Sequence, residues 1–171
     1  MDPNCRPARR LLDYTVRPIS PDDASALNDF HERCSERTHR LRFFSSQAHL
    51  PPAMLSLFTN VDHDKREALV ATLDAQIIAV GRYDLATEDT TDERFAEVAF
   101  VVADDFQGNG IASDLLDRLA VLARSRSISG FVAETLAENM AMLSVFRKSP
   151  YNAVFKRVVG DASVIRVTMT L

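Results

Sequence analysis

The sequence predicts an α/β (α+β) domain on one mixed, mainly antiparallel sheet of about seven strands, with a central parallel βαβ unit flanked by helices. Three observations lead there. Helical periodicity ahead of Glu67 gives way to two apolar strand-like runs separated only by Asp74-Ala75, the spacing of a tight hairpin. Residues 94–102 read as a strand, then come a glycine loop, an amphipathic helix and another apolar strand at 130–135. A helical crossover of that length makes its two flanking strands parallel. Two further strand-like runs close the chain around Gly160-Asp161.

Length and composition bound the function. The 171 residues suit one domain, and 46% hydrophobic with 26% charged residues is ordinary globular usage. A net charge of −4 argues against nucleic acid as the main partner. No apolar run approaches the roughly 20 residues that span a membrane. The start (Met1-Asp2-Pro3-Asn4-Cys5) lacks an apolar signal region. Cys5 and Cys34 are the only cysteines, and His31, His39, His49 and His63 show no metal spacing, so no metal is expected. Together these place the protein in a reducing, cytoplasmic setting.

In chain order, residues 1–13 are Arg- and Pro-rich and read as a flexible arm, with one domain over 14–171. Residues 14–19 form a first strand. Ser20-Pro21-Asp22-Asp23 is a helix start, with Ser as cap, Pro in the first turn and acids beside it; Ala24, Leu27, Phe30 and Cys34 continue the helix. Residues 35–44 form a basic, aromatic helical segment, and Pro51-Pro52 opens a short helix carrying Met54, Leu55, Leu57 and Phe58. Strands at 68–73 and 76–83 precede an acidic loop at 86–93. Ile111, Leu115, Leu119 and Leu122 share one face of the helix after the glycine loop. Glu138-Asn139 starts a last helix with Met140, Leu143 and Phe146 apolar, and Pro150 stops it. Strands at 153–159 and 163–171 pair antiparallel. His39 and His49 are expected at the surface or at caps.

The chemistry concentrates at 96–127. A strand that feeds Gln107-Gly108-Asn109-Gly110 into a helix turns backbone N–H groups towards one point, where the helix dipole adds positive potential. That is an anion site suited to a pyrophosphate. A Walker A loop is excluded because no Gly-Lys-Ser/Thr follows. A dinucleotide fingerprint lacks its third glycine, since Ser113 stands there, and the later hairpin connections do not fit a doubly wound sheet.

Gln107-Gly108-Asn109-Gly110-Ile111-Ala112 resembles the Q/R-x-x-G-x-G/A acyl-CoA loop of the GNAT N-acetyltransferase superfamily. Within it, the chain looks most like the GNAT domain of bacterial Pat-type protein lysine acetyltransferases. The residues that carry this are Ser35-x-x-Thr38-x-x-Leu41-Arg42-Phe43-Phe44, the run 96–102, and Glu138-Asn139-x-x-Met142. The resemblance implies that acetyl-CoA is the cosubstrate. Its pyrophosphate would lie on the N–H groups of Gln107, Gly108, Asn109, Gly110, Ile111 and Ala112, and its pantetheine arm in a slot beside Phe100, Val101 and Val102. Asn139 would touch that arm, and Phe146 would line it. Glu97 is implied as the general base that frees a lysine amine of its proton.

Departures from the family pattern stand out. Asn109 fills a loop position that is often basic. Phe146 falls where many members carry a thiolate-protonating Tyr, and Pro150-Tyr151 replaces Gly-Phe, with the Tyr151 hydroxyl as another possible donor. The acceptor implied is a lysine of a protein such as an acyl-CoA synthetase, with the enzyme a monomer or homodimer. A small-molecule amine acetyltransferase and a non-catalytic acyl-CoA-binding regulatory module are the other readings. Arg37, Arg40 and Arg42, near the acidic loop, suit steering of a charged protein partner.

Overall fold

The computed structural model describes residues 12–44, 49–85 and 94–171. Most of the expected arm and the acidic loop therefore lie outside the described residues. The element order is β1 (Thr15–Pro18), α1 (Ala24–Arg33), α2 (Glu36–Phe43), α3 (Pro52–Thr59), β2 (Arg66–Leu73), β3 (Gln76–Leu85) and β4 (Phe95–Val102), then α4 (Ile111–Ser125), β5 (Gly130–Leu136), α5 (Met140–Lys148), β6 (Val154–Val158) and β7 (Asp161–Thr170). The seven strands form one sheet in the order β1-β2-β3-β4-β5-β7-β6, and only β4 and β5 run parallel. This is the mixed sheet read from the sequence.

Local chemistry explains the elements. The β2–β3 turn holds Asp74 and Ala75 at φ of 48° and 63°, the left-handed pair a two-residue hairpin needs. The Ser20 start differs in detail: Pro21–Asp23 is a 3-10 turn, and the α-helix begins one residue later. Asp23 supports that turn, accepting from the Ser20 N–H at 2.8 Å and from both terminal nitrogens of Arg17 at 2.7 Å. Arg17 also holds the Asp23 carboxyl below the usual carboxylate range.

Two apolar layers enclose the sheet. On one face β2–β5 and β7 pack Val98, Phe100, Phe131, Ala133 and Met169 against α4 and α5. On the other, Ala68, Val70 and Val80 pack against Leu27 and Phe30 of α1 and Phe58 of α3. Successive strand residues alternate between these faces. Glu97 and Ala99 therefore project to the α1–α3 side, and Val98 and Phe100 to the α4–α5 side.

Candidate active site

The parallel pair is short. β4 and β5 are in register only at Phe95↔Gly130, Ala96↔Phe131 and Glu97↔Val132. Gly130 permits that start, because a Cβ there would come within 2.2 Å of the Phe95 ring and 2.4 Å of the Met169 carbonyl. Past Glu97 the strands part, and among the described residues no strand pairs with the β5-facing edge of residues 98–102. The gap is a cavity of about 250 Å³ that joins the two faces of the sheet. Phe100, Thr135, Asn139 and Phe146 line its α4–α5 side, and Glu97, Arg42 and Phe43 its α2 side.

The glycine loop lies at the end of β4. Gly108 and Gly110 take φ of 76° and 83°, which only glycine adopts without strain, and the space where a Gly108 Cβ would stand is open. Among the described residues, the N–H groups of 108–113 find no acceptor; the first α4 bond is Asp114 N–H to the Gly110 carbonyl at 3.1 Å. Asn109 turns inward, its Nδ2 donating to the Phe106 and Gln107 carbonyls at 3.1 and 3.2 Å. It stiffens the loop and leaves those N–H groups outward. Ile111 and Ala112 anchor the helix start by burial. Free N–H groups around open space at a helix start fit a pyrophosphate.

Gln107 links this loop to α2. Its Nε2 donates to the Val102 carbonyl at 3.0 Å and to Thr38 Oγ1 at 3.1 Å. Asp104 accepts from the Ser35 hydroxyl at 2.6 Å, the Ser35 N–H at 2.9 Å and the Thr38 hydroxyl at 2.9 Å. Burial alone would raise the Asp104 pKa, but these bonds outweigh it and hold the carboxyl below its usual range. The Ser35-x-x-Thr38 motif thus ties α2 to the loop, with Ser35 also capping α2 through Thr38 N–H at 3.2 Å. Asp104 was not singled out from the sequence; a Ser/Thr pair three apart gives no hint of a partner 66 residues away.

The remaining residues divide clearly. Asn139 caps α5, accepting from Met142 N–H at 3.1 Å, while its side chain also faces the cavity. Phe146 is 1% exposed and packs against Phe100 at 6.3 Å between ring centres. Val101 faces the opposite way, into a second cavity on the α1–α3 side. Tyr151 does not supply a hydroxyl to the site: it donates to Asp117 of α4 at 2.9 Å, and burial with that aspartate pushes its pKa up to about 12. His39 is not at the surface but 2% exposed, its ring stacked on His31 at 4.2 Å, which fixes α2 against α1. Arg40 and Glu138 pair at 2.5 Å, joining α2 to the start of α5 beside the cavity. Among the described residues the buried Thr135 hydroxyl finds no hydrogen-bond partner.

Residues 26–149 match the Acetyltransferase (GNAT) family. The chain belongs to that family. GNAT members use acetyl-CoA, and this chain has their fold. It is 35% identical to Acetyltransferase Pat of Mycolicibacterium smegmatis over 77% of its own length and 39% of the relative's. It is 30% identical to Acetyltransferase PA5475 of Pseudomonas aeruginosa over 74% of this chain and 68% of that one. The chain thus spans well under half of the mycobacterial Pat. Among solved structures, the GNAT domain of S. lividans PAT superposes with a TM-score of 0.81 at 37% identity, over 91% of this chain and 89% of that one. The yncA protein of Salmonella typhimurium, solved with its cofactor acetyl-CoA, shares the fold at a TM-score of 0.68 and 16% identity, over 92% of both chains. Among the described residues no helix is long and apolar enough to cross a membrane, and no group of His, Cys, Asp and Glu is placed to hold a metal.

Proposed function

We propose that this GNAT enzyme acetylates lysine side chains of a protein, by direct transfer from acetyl-CoA with Glu97 as general base. The observation that carries the reading is the position of Glu97. It is the last β4 residue paired with β5, and its side chain faces the cavity from the side opposite Phe100 and Phe146. A cosubstrate arm from the α4–α5 side and an amine from the α2 side meet at that carboxylate. The Pat relatives support a protein lysine as acceptor.

Each residue then has a task. The N–H groups of Gly108, Asn109, Gly110, Ile111 and Ala112 hold the pyrophosphate, whereas the expected Gln107 N–H is taken up by the Asp104 carbonyl at 3.3 Å. The open edge at Phe100, Val101 and Val102 offers backbone groups to the pantetheine amides, and an N–H there polarises the thioester carbonyl. Asn139 and Phe146 wall the arm. Acetyl-CoA supplies the activated acyl group. Glu97 takes the proton of the lysine ammonium, directly or through one water, so that the neutral amine attacks. Cys34 does not compete as an acyl carrier: burial pushes its thiol up to about 11, and its Sγ donates to the Phe30 carbonyl at 3.4 Å.

Incubation with acetyl-CoA and an acyl-CoA synthetase, read by CoA release and by mass spectrometry of acetyl-lysine, tests the proposal. Acetyl-lysine on the synthetase at a rate above that of polyamines, amino acids and antibiotics is expected. Faster transfer to a small amine overturns the protein acceptor, and acetyl-CoA binding without CoA release to any amine leaves a regulatory binding module.

A further inference from the structure

The face of the sheet that carries Glu97 also meets two guanidinium groups that, among the described residues, have no acid bound to them. Arg82 stands opposite Ala99 in the β3–β4 register, and Ala99 lies two residues from Glu97 on the same face. Arg42 reaches the same place from α2. Both line a second, narrow cavity of about 30 Å³, whose other walls are largely apolar, including Phe30, Phe58, Val80 and Val101. Arg42, Phe43 and Ala99 border both cavities, so this space continues into the one at Glu97.

The arginines are held in similar ways. The Arg82 guanidinium lies over the Phe58 ring at 4.3 Å from its centre, and that of Arg42 over Phe43 at 4.8 Å. A guanidinium stacked on a ring keeps its N–H fork free in its own plane. Among the described residues neither arginine has a hydrogen bond or an ion pair. Glu97 acts on Arg42, and Asp84 on Arg82, only from a distance. Burial pushes both guanidinium groups down to about 10, and Arg42 further disfavours the charge on Arg82. Both remain cationic near neutral pH. Two like charges in a largely apolar cavity are unfavourable until an anion joins them.

We infer that Arg42 and Arg82 form a carboxylate subsite beside the transfer site, and that the preferred acceptor is a lysine with an acidic side chain near it in the peptide. The inference rests on the reading of Glu97 as the transfer site. Diagonal neighbours across antiparallel strands lie roughly 7–8 Å apart, and an extended peptide advances about 3.3 Å per residue. The acid therefore falls within about two residues of the lysine. The lysine ammonium meets the Glu97 and Asp84 carboxylates, which oppose each other in the register, while the acid meets the two arginines.

The test compares two single-lysine peptides that differ only in Glu or Gln two residues from the lysine. Wild-type protein is expected to favour the Glu peptide about tenfold or more in kcat/KM, mainly through KM. Arg82→Gln should abolish the preference while the KM for acetyl-CoA holds, and Arg82→Lys should restore part of it. Equal use of both peptides by wild type, or a preference that survives Arg82→Gln, overturns the subsite. Nα-acetyl-lysine against its carboxamide separates sources: a preference confined to that pair keeps the subsite but overturns the peptide acid as its occupant. Calorimetric titration of glutarate gives a readout without transfer, with binding expected to weaken at least about fivefold in Arg82→Lys. That result stands even if no amine is acetylated, so failure of the subsite and failure of the proposed function remain distinguishable. Should Arg82→Gln not fold, the wild-type peptide pair and the Arg82→Lys titration decide.

Discussion

Replacing Glu97 by Gln removes the carboxylate while keeping the size of the side chain in the cavity wall. A free lysine has a pKa of about 10.4, so near pH 7.4 about one in a thousand is neutral. A base that supplies the neutral amine can therefore gain up to about a thousandfold, within the range for general base catalysis. The expected loss in Glu97→Gln is about 100- to 1000-fold at pH 7.4, or about 2.7–4 kcal/mol of barrier. The loss should shrink as pH rises, because the solvent then does the work: near pH 9.4 about a tenth of the lysine is neutral and the deficit falls to about tenfold. Arg42 loses a nearby negative charge, which lowers its pKa from about 10 yet leaves it a cation near neutral pH. Released CoA thiol against a lysine peptide, measured from pH 7 to 9.5, follows the rate, and calorimetry follows acetyl-CoA binding. Turnover equal to wild type near pH 7.4, or a deficit that stays constant up to pH 9.5, refutes Glu97 as the base.

Other perturbations address the rest of the site. Gly108→Ala forces a side chain into a φ of 76°, at a strain of about 1–2 kcal/mol, and sets a methyl group in the open space of the loop; calorimetry should show acetyl-CoA binding about tenfold weaker. Asp104→Asn should flatten the acid limb of stability. Because the folded pKa of Asp104 is lowered, its contribution is complete above the unfolded value of about 3.9 and is lost as pH falls through the folded value. Denaturation from pH 7 to 3 should show the gap between wild type and variant constant at first and closing below about pH 4. Thr135→Val removes a buried hydroxyl without a partner and should raise stability by about 1 kcal/mol, read as a higher urea midpoint. For wild type, kcat/KM on a lysine peptide should rise with pH without a falling limb below about pH 9; a bell with a falling limb in that range contradicts a reaction that needs no proton donor.

What the sequence makes legible here is what the backbone builds locally. The Asp74-Ala75 hairpin, the glycines that lead into α4 and the Asn139 cap each depend on a few adjacent residues, and each stands where periodicity and turn chemistry put it. Arg82 and Asp84 carry no such local mark. Their place beside Glu97 follows from the β3–β4 register, and a slip of one residue would turn both side chains to the other face. No feature within either strand states that register. His39 reads as polar on a basic helix, and its burial comes from a stacking partner, His31, on a different helix. Tyr151 has a hydroxyl close in sequence to the right helix, but Asp117 of α4 holds it elsewhere.

The side chains that replace the usual donor bear on the proposed reaction as a whole. Phe146 packs on Phe100 and has no proton to give, and Tyr151 donates to Asp117 with its pKa pushed up to about 12. Proton demand in acyl transfer from a thioester to an amine is uneven. A thiol of pKa about 8.5 leaves readily as its anion, whereas a lysine of pKa about 10.4 is almost wholly unable to attack until a proton is removed. The harder proton transfer is therefore the one at the amine, the step that the proposal assigns to Glu97. In the proposed reaction an aromatic wall on the thiol side would still contribute: Phe146 and Phe100 line that side of the cavity, where they would exclude water from the thioester. In this arrangement a Tyr at 146 would aid a step that is already fast, and its replacement by Phe leaves the slower step untouched.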